Sequence, residues 1–75
     1  MIIVADTSAL FAAFDAAQTE HAAAAKILEY ERLAISPLVV TELDHLVHRD
    51  LGFPAALQVM EALNSRMDDG QYRLA

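Results

Sequence analysis

MIIVADTS, residues 1–8, is the stretch that decides the fold. Its first five residues are apolar and rich in branched side chains, with no period-two alternation. A strand of that kind buries both faces, as a central parallel strand does. Asp6, Thr7 and Ser8 follow, and all three favour a helix start. A buried strand that ends in an acid and turns at once into a helix opens an α/β unit. Ligands bind at the carboxyl ends of the strands in open α/β sheets. Two readings of Asp6 therefore stand: a metal-binding carboxylate with the Thr7 and Ser8 hydroxyls beside it, or a plain helix cap.

Downstream, residues 9–17 read as a short helix with Leu10, Phe11 and Phe14 on its apolar side. Thr19 is a suitable N-cap for a second helix over residues 22–30, and Glu20 suits the positive end of its dipole. Ala24, Ile27 and Leu28 form its expected core stripe. Residues 33–35 are short, apolar and flanked by polar neighbours, as a second buried strand should be. Ser36 then caps and Pro37 takes the first helical position, where its missing N–H costs nothing. That helix is expected to reach about Leu51 and to stop at Gly52. Val39, Leu43, Leu46 and Val47 share one face of it, while Glu42, His45 and Arg49 share another. Pro54 opens a last helix, along which Phe53, Ala56, Leu57, Met60, Leu63 and Met67 keep helical spacing. Asp68, Asp69 and Gly70 make a turn. Residues 71–75 begin a strand with Tyr72 and Leu74 on one side.

The element order is thus β-α-α-β-α-α-β. Strands separated by helices imply an α/β fold with a parallel sheet and right-handed crossovers. The chain stops at a strand, which is the halfway point of a two-half α/β fold.

Composition narrows the function. At 75 residues the chain holds one domain at most. With 56% apolar residues, two Gly and two Pro it is not a disordered tail. The absence of Cys removes disulfides, thiolate zinc sites and Cys nucleophiles. The net charge of -6 speaks against simple neutralisation of phosphates, because Lys26, Arg32, Arg49, Arg66 and Arg73 do not cluster. An acidic site that recruits divalent cations fits better, since the metal then supplies the positive charge. The opening MIIVAD has no basic flank of a secretory signal. No apolar run approaches the roughly 20 residues of a membrane span. A cytoplasmic protein that does not cross a membrane is expected. A Gly-rich phosphate loop, a G-x-S-x-G elbow and a D-x-D pair at the first strand are all missing, so nucleotide kinases, serine hydrolases and aspartyl phosphatases lack support.

Glu42 is the second candidate. It lies near the start of the helix that follows the second strand, so in a parallel sheet it approaches the same rim as Asp6. Two carboxylates about 4 Å apart repel by roughly 4 kcal/mol at an effective dielectric of about 20, and a bound cation or proton relieves this. Spacing alone favours the other reading, an exposed Glu paired with His45 or Arg49. Asp44, His45 and His48 offer i, i+3 and i, i+4 pairs, but the H-E-x-x-H pattern is absent and a solvated face accounts for them. His21 reads as a surface residue near a helix start. The stripes that include Phe11, Phe14, Tyr30, Met60 and Met67 are ordinary core by default. They nonetheless exceed what three half-covered strands can bury, so some of this surface should meet other protein.

Two blocks together resemble a known family. IIVADTSALFAAFD is similar to the first strand and helix of PIN domains, where the strand ends in a metal-binding Asp followed by Ser or Thr. ISPLVVTELDHLVHRDLG resembles the second strand and third helix of VapC toxins, whose helix begins with Ser-Pro and carries the second acid about a turn later. The resemblance implies a PIN-like three-layer fold with a central parallel sheet. Residues 1–75 would be its N-terminal half, with the C-terminal half supplying two further acids. It implies that Asp6 and Glu42 are catalytic and metal-binding, that Ser8 orients Asp6, and that Thr7 is a lesser supporting residue. The implied activity is endoribonuclease action on tRNA or rRNA with Mg²⁺ or Mn²⁺ as cofactor. The implied partners are a VapB-type antitoxin and a second copy of the chain. The antitoxin would lay a helix across an apolar groove formed by the helices beginning near Ala9, Thr19 and Pro54. The competing class is a non-enzymatic interaction module, stable only with a partner, whose acids serve solubility.

Overall fold

A computed structural model describes residues 2–75, so the part of the first expected strand that falls on Met1 lies outside it. The elements in order are β1 (Ile2–Val4), α1 (Thr7–Phe14), α2 (His21–Tyr30), β2 (Arg32–Ile35), α3 (Pro37–Leu51), α4 (Phe53–Asp68) and β3 (Tyr72–Leu74). The strands form one parallel sheet in the order β1-β2-β3. In register, Val4 pairs with Ala34, and Leu33 with Tyr72.

Alternation across the pleat divides the sheet into two faces. Ile3, Leu33, Ile35 and Tyr72 lie on the face that joins the core, together with Leu10, Leu28, Leu43, Val47, Ala56, Val59 and Leu63 of the helices. Ile2, Val4, Arg32, Ala34 and Arg73 lie on the other face. β2, paired on both sides, is the buried strand. β1 was expected to be central, but among the described residues it pairs on one side only, and Val4 is 80% exposed. Its composition suits a strand buried on both faces, and these residues cover one.

The helices follow local chemistry. α1 begins two residues earlier than its sequence suggests, because Asp6 itself is the cap: its Oδ1 accepts the Ala9 N–H at 2.8 Å. It also ends earlier, at Phe14. The Asp15 carboxylate accepts from the Ala17 N–H and the Gln18 side chain, a local turn that competes with further helix. The expected cap at Thr19 is not formed. Glu20 holds the cap position of α2 without a side-chain bond. His21 instead ties the start of α2 to the last turn of α1, with Nδ1 2.9 Å from the Ala12 carbonyl, so it is a half-buried bridge rather than a surface residue.

α3 starts as its sequence dictates. The Ser36 hydroxyl accepts the Leu38 N–H at 3.1 Å, and Pro37 occupies the first turn. Gly52, at a φ of 91°, closes it by donating to the Val47 and His48 carbonyls. A side chain at that φ is strained, which is why glycine makes the corner. In α4 the buried line is Ala56, Val59 and Leu63, with Met60 and Met67 partly covered, while Phe53 and Leu57 face out. Ile27 on α2 is likewise more exposed than its spacing suggests.

The end of α2 is closed from far along the chain. Gln71 Nε2 donates to the carbonyls of Leu28, Glu29 and Glu31, and the Tyr72 hydroxyl donates to Leu28 as well. Arg66 holds Gln71 in place through Oε1 at 2.6 Å. These side chains occupy carbonyls that a helix end leaves without partners.

Candidate metal centre

Asp6 emerges from the carboxyl end of β1, and the parallel pairing brings β2 and the start of α3 to the same rim. α1 packs against α3 there. The Thr7 hydroxyl donates to Glu42 Oε1 at 3.4 Å. Asp6 and Glu42 thus lie on elements that meet at one end of the sheet, and Thr7, the residue next to Asp6, touches the second acid.

Among the described residues neither acid forms an ion pair with a base. Arg49, which shares a face with Glu42, is turned to Asp50 at 2.8 Å. That pairing holds the Asp50 carboxyl below its ordinary range, chiefly through the hydrogen bond from Arg49. His48 lies 3.7 Å from Asp44 and stacks at a tilt on Phe53. His45 lines a shallow depression with Thr41, Glu42 and Leu46. Thr7 is thus the side-chain hydrogen-bond partner of Glu42 among the described residues. Ser8 is exposed and lines a separate depression with Ala12, Gln18, Thr19 and Glu20.

The donor chemistry is of one kind. Two carboxylates and a hydroxyl are hard oxygen donors, which suit Mg²⁺ or Mn²⁺, and Mg²⁺ characteristically takes one or two carboxylates and keeps several waters. No group of three or more His, Cys, Asp or Glu able to hold a metal occurs among the described residues. The Asp44, His45 and His48 alternative therefore does not assemble into a site of zinc type.

Comparison with known proteins gives this geometry a family. The model of the PIN domain matches residues 3–72, nearly the whole chain. The chain belongs to the PIN-domain family. It is 44% identical over 63 residues to Ribonuclease VapC26 of Mycobacterium tuberculosis (strain ATCC 25618 / H37Rv), covering 81% of this chain and 47% of that protein. Its fold matches the crystal structure of Mycobacterium tuberculosis VapC20, a sarcin-ricin loop cleaving toxin, with a TM-score of 0.74 and 26% identity. That match covers 99% of this chain and 55% of VapC20. The similarity is thus to PIN domains of the VapC type, and the chain spans about half the length of these relatives.

Within this PIN domain the rim residues have separate tasks. Asp6 Oδ1 is engaged by the helix start, and its other oxygen has no hydrogen bond among the described residues. Thr7, the lesser of the two hydroxyl candidates in the sequence, is the one that reaches across to α3. No helix of the described residues is long and apolar enough to cross a membrane.

Proposed function

We propose that this chain is the N-terminal half of a metal-dependent endoribonuclease toxin of a toxin–antitoxin pair, acting on tRNA or rRNA in the cytoplasm. The observation that carries the reading is the contact of Thr7, the neighbour of Asp6, with Glu42 at the strand ends of a PIN domain. The ribonuclease and toxin names of VapC26 and VapC20 support it.

Asp6 and Glu42 hold the cofactor, Mg²⁺ or Mn²⁺, and Thr7 and Ser8 stand beside Asp6. An ion held there would supply the activation of water and the charge stabilisation of the leaving oxygen that hydrolysis of an RNA phosphodiester needs. The two carboxylates put negative charge where the phosphate must arrive, so RNA approach depends on the cation they retain. The C-terminal half of the domain supplies further acids and covers the β1 edge and the open face of the sheet at Ile2 and Val4. Two other partners fit exposed surface. A groove between α1, α2 and α4, lined by Ala13, Phe14, Ala25, Leu28 and Ala62 together with Glu29, Arg66 and Tyr72, supports docking of an amphipathic antitoxin helix of VapB type. Leu51, Phe53 and Leu57, exposed around the α3–α4 corner, support contact with a second copy.

Calorimetric titration with Mn²⁺ tests the reading. Parent protein is expected to bind one ion weakly, and Asp6→Asn and Glu42→Gln each to abolish the heat. The same substitutions in the full-length domain are expected to abolish cleavage of an RNA substrate. A second reading, a non-catalytic interaction module, draws on the lack of three clustered ligands among the described residues. Failure of the parent and both variants to bind Mn²⁺, with the full-length domain inert toward RNA, would establish the module instead.

A further inference from the structure

We infer that Thr7 is a positioning residue, whose hydroxyl holds the Glu42 carboxylate on the Asp6 side of α3. The inference rests on the metal-centre reading for its purpose, but the contact is judged separately.

A hydroxyl inside a helix usually bonds back to the carbonyl one turn earlier. Thr41 does so, donating to the Pro37 carbonyl at 3.1 Å. Thr7 is the first residue of α1, and the residues one turn before it lie in β1, so that outlet is closed. Its hydroxyl proton goes across to Glu42 Oε1. Its direction is firmly set. The Asp6 cap fixes the first turn of α1, and a β-branched side chain is stiff at χ1. Glu42 is the opposite case: an exposed, long side chain whose basic neighbour Arg49 is taken by Asp50. Among the described residues Thr7 is its one side-chain hydrogen-bond partner. The Thr7 donor is therefore what keeps the second acid turned toward the first.

Three proteins decide the matter: the parent, Thr7→Val, which keeps the branched shape without the donor, and Thr7→Ser, which keeps the donor. In metal-free protein, side-chain NMR couplings of Glu42 are expected to show one dominant rotamer in the parent and in Thr7→Ser, and averaging in Thr7→Val. Mn²⁺ affinity is expected to fall about tenfold in Thr7→Val, at the low end for residues that orient metal ligands. In Thr7→Ser it should return to within about twofold of the parent, a recovery that loss of packing does not produce. Melting temperatures should be the same in all three. Equal Glu42 couplings in parent and Thr7→Val overturn the inference, and so does a Thr7→Ser protein that averages as Thr7→Val does. If the parent binds no Mn²⁺, the metal reading fails, and the metal-free couplings alone decide whether Thr7 holds Glu42.

Discussion

The Thr7 hydroxyl and the Glu42 carboxylate stand 3.4 Å apart although 35 positions separate them in the sequence. The contact joins the first turn of α1 to α3 at the rim where β1 and β2 end. On its other side the same turn is closed by Asp6, whose Oδ1 takes the Ala9 N–H. One short segment thus carries a cap, a donor and a candidate ligand. Substitutions there must separate these roles rather than simply remove a side chain.

Asp6 permits that separation. Asn caps a helix about as well as Asp, whereas Ala cannot, and loss of a cap costs about 1 kcal/mol. Asp6→Asn is therefore expected to leave stability in chelator unchanged or raised, because it also removes a negative charge near Glu42. Asp6→Ala is expected to lower it by about 1 kcal/mol. Both should lose Mn²⁺ binding. Urea unfolding in chelator, paired with Mn²⁺ calorimetry, checks the expectation. Equal destabilisation by Asn and Ala would show that the carboxylate charge, not the cap, holds α1.

Gln71 is expected to matter well beyond its place on the surface. Its two N–H hydrogens are shared among three carbonyls at the end of α2, and Arg66 fixes its orientation. Gln71→Ala leaves those carbonyls to water where they are exposed and unsatisfied where they are covered, at a cost of about 1–3 kcal/mol. Arg66→Ala should cost less, since the amide can still find its carbonyls. Denaturant midpoints of both variants test the order. A Gln71→Ala protein as stable as the parent would mean that water closes α2 equally well.

These contacts mark where sequence reading stops. Ser36, Pro37 and Gly52 declared the limits of α3, because their effect lies in their own backbone and that of near neighbours. The rim position of Asp6 and Glu42 followed from parallel topology, which fixes the end at which each strand exits. The choice between Thr7 and Ser8 did not follow. Adjacent helical residues point about 100° apart, and only the packing of α1 on α3 decides which faces Glu42. The bond from Gln71 to Leu28 spans 43 positions and leaves no periodic trace. Asp15 ended α1 early through a side-chain turn that competes with an otherwise helical run of alanines. The exposure of Val4 reflects which strand neighbours are present, a property of the assembled sheet rather than of the strand's composition.

Tyr72 should give the fold an alkaline limit. Burial is the main cause that raises its pKa above the ordinary 10.0, and the charge of Arg66 partly opposes it. The folded state therefore keeps the phenol proton at pH values where the unfolded chain has lost it. The stabilisation tied to this proton is complete below pH 10, declines as pH rises past the unfolded value, and is lost beyond the higher folded one. Tyr72→Phe removes both the titration and the hydrogen bond to Leu28, costing about 1 kcal/mol near neutrality. The stability gap between parent and Tyr72→Phe is thus expected to shrink as pH climbs above 10. Urea titrations from neutral to strongly alkaline pH measure it, and a constant gap would mean that Tyr72 does not titrate with unfolding.

Val4 distinguishes an edge that stays bare from one that is covered. At 80% exposure on β1, it has little to lose in the 75-residue chain. Val4→Asp there is expected to shift stability by no more than about 0.5 kcal/mol, as exposed substitutions do. In the full-length domain the C-terminal half is proposed to cover β1. The same substitution then buries an unpaired carboxylate and should cost several kcal/mol, about 3 or more. The comparison uses one substitution in two lengths of chain, so any intrinsic strand preference cancels. Hydrogen exchange supplies the backbone counterpart: amides of β1 that exchange quickly in the short chain should be protected in the long one. If Val4→Asp is equally mild in both, the second half docks elsewhere, and β1 is an outer edge of the complete sheet.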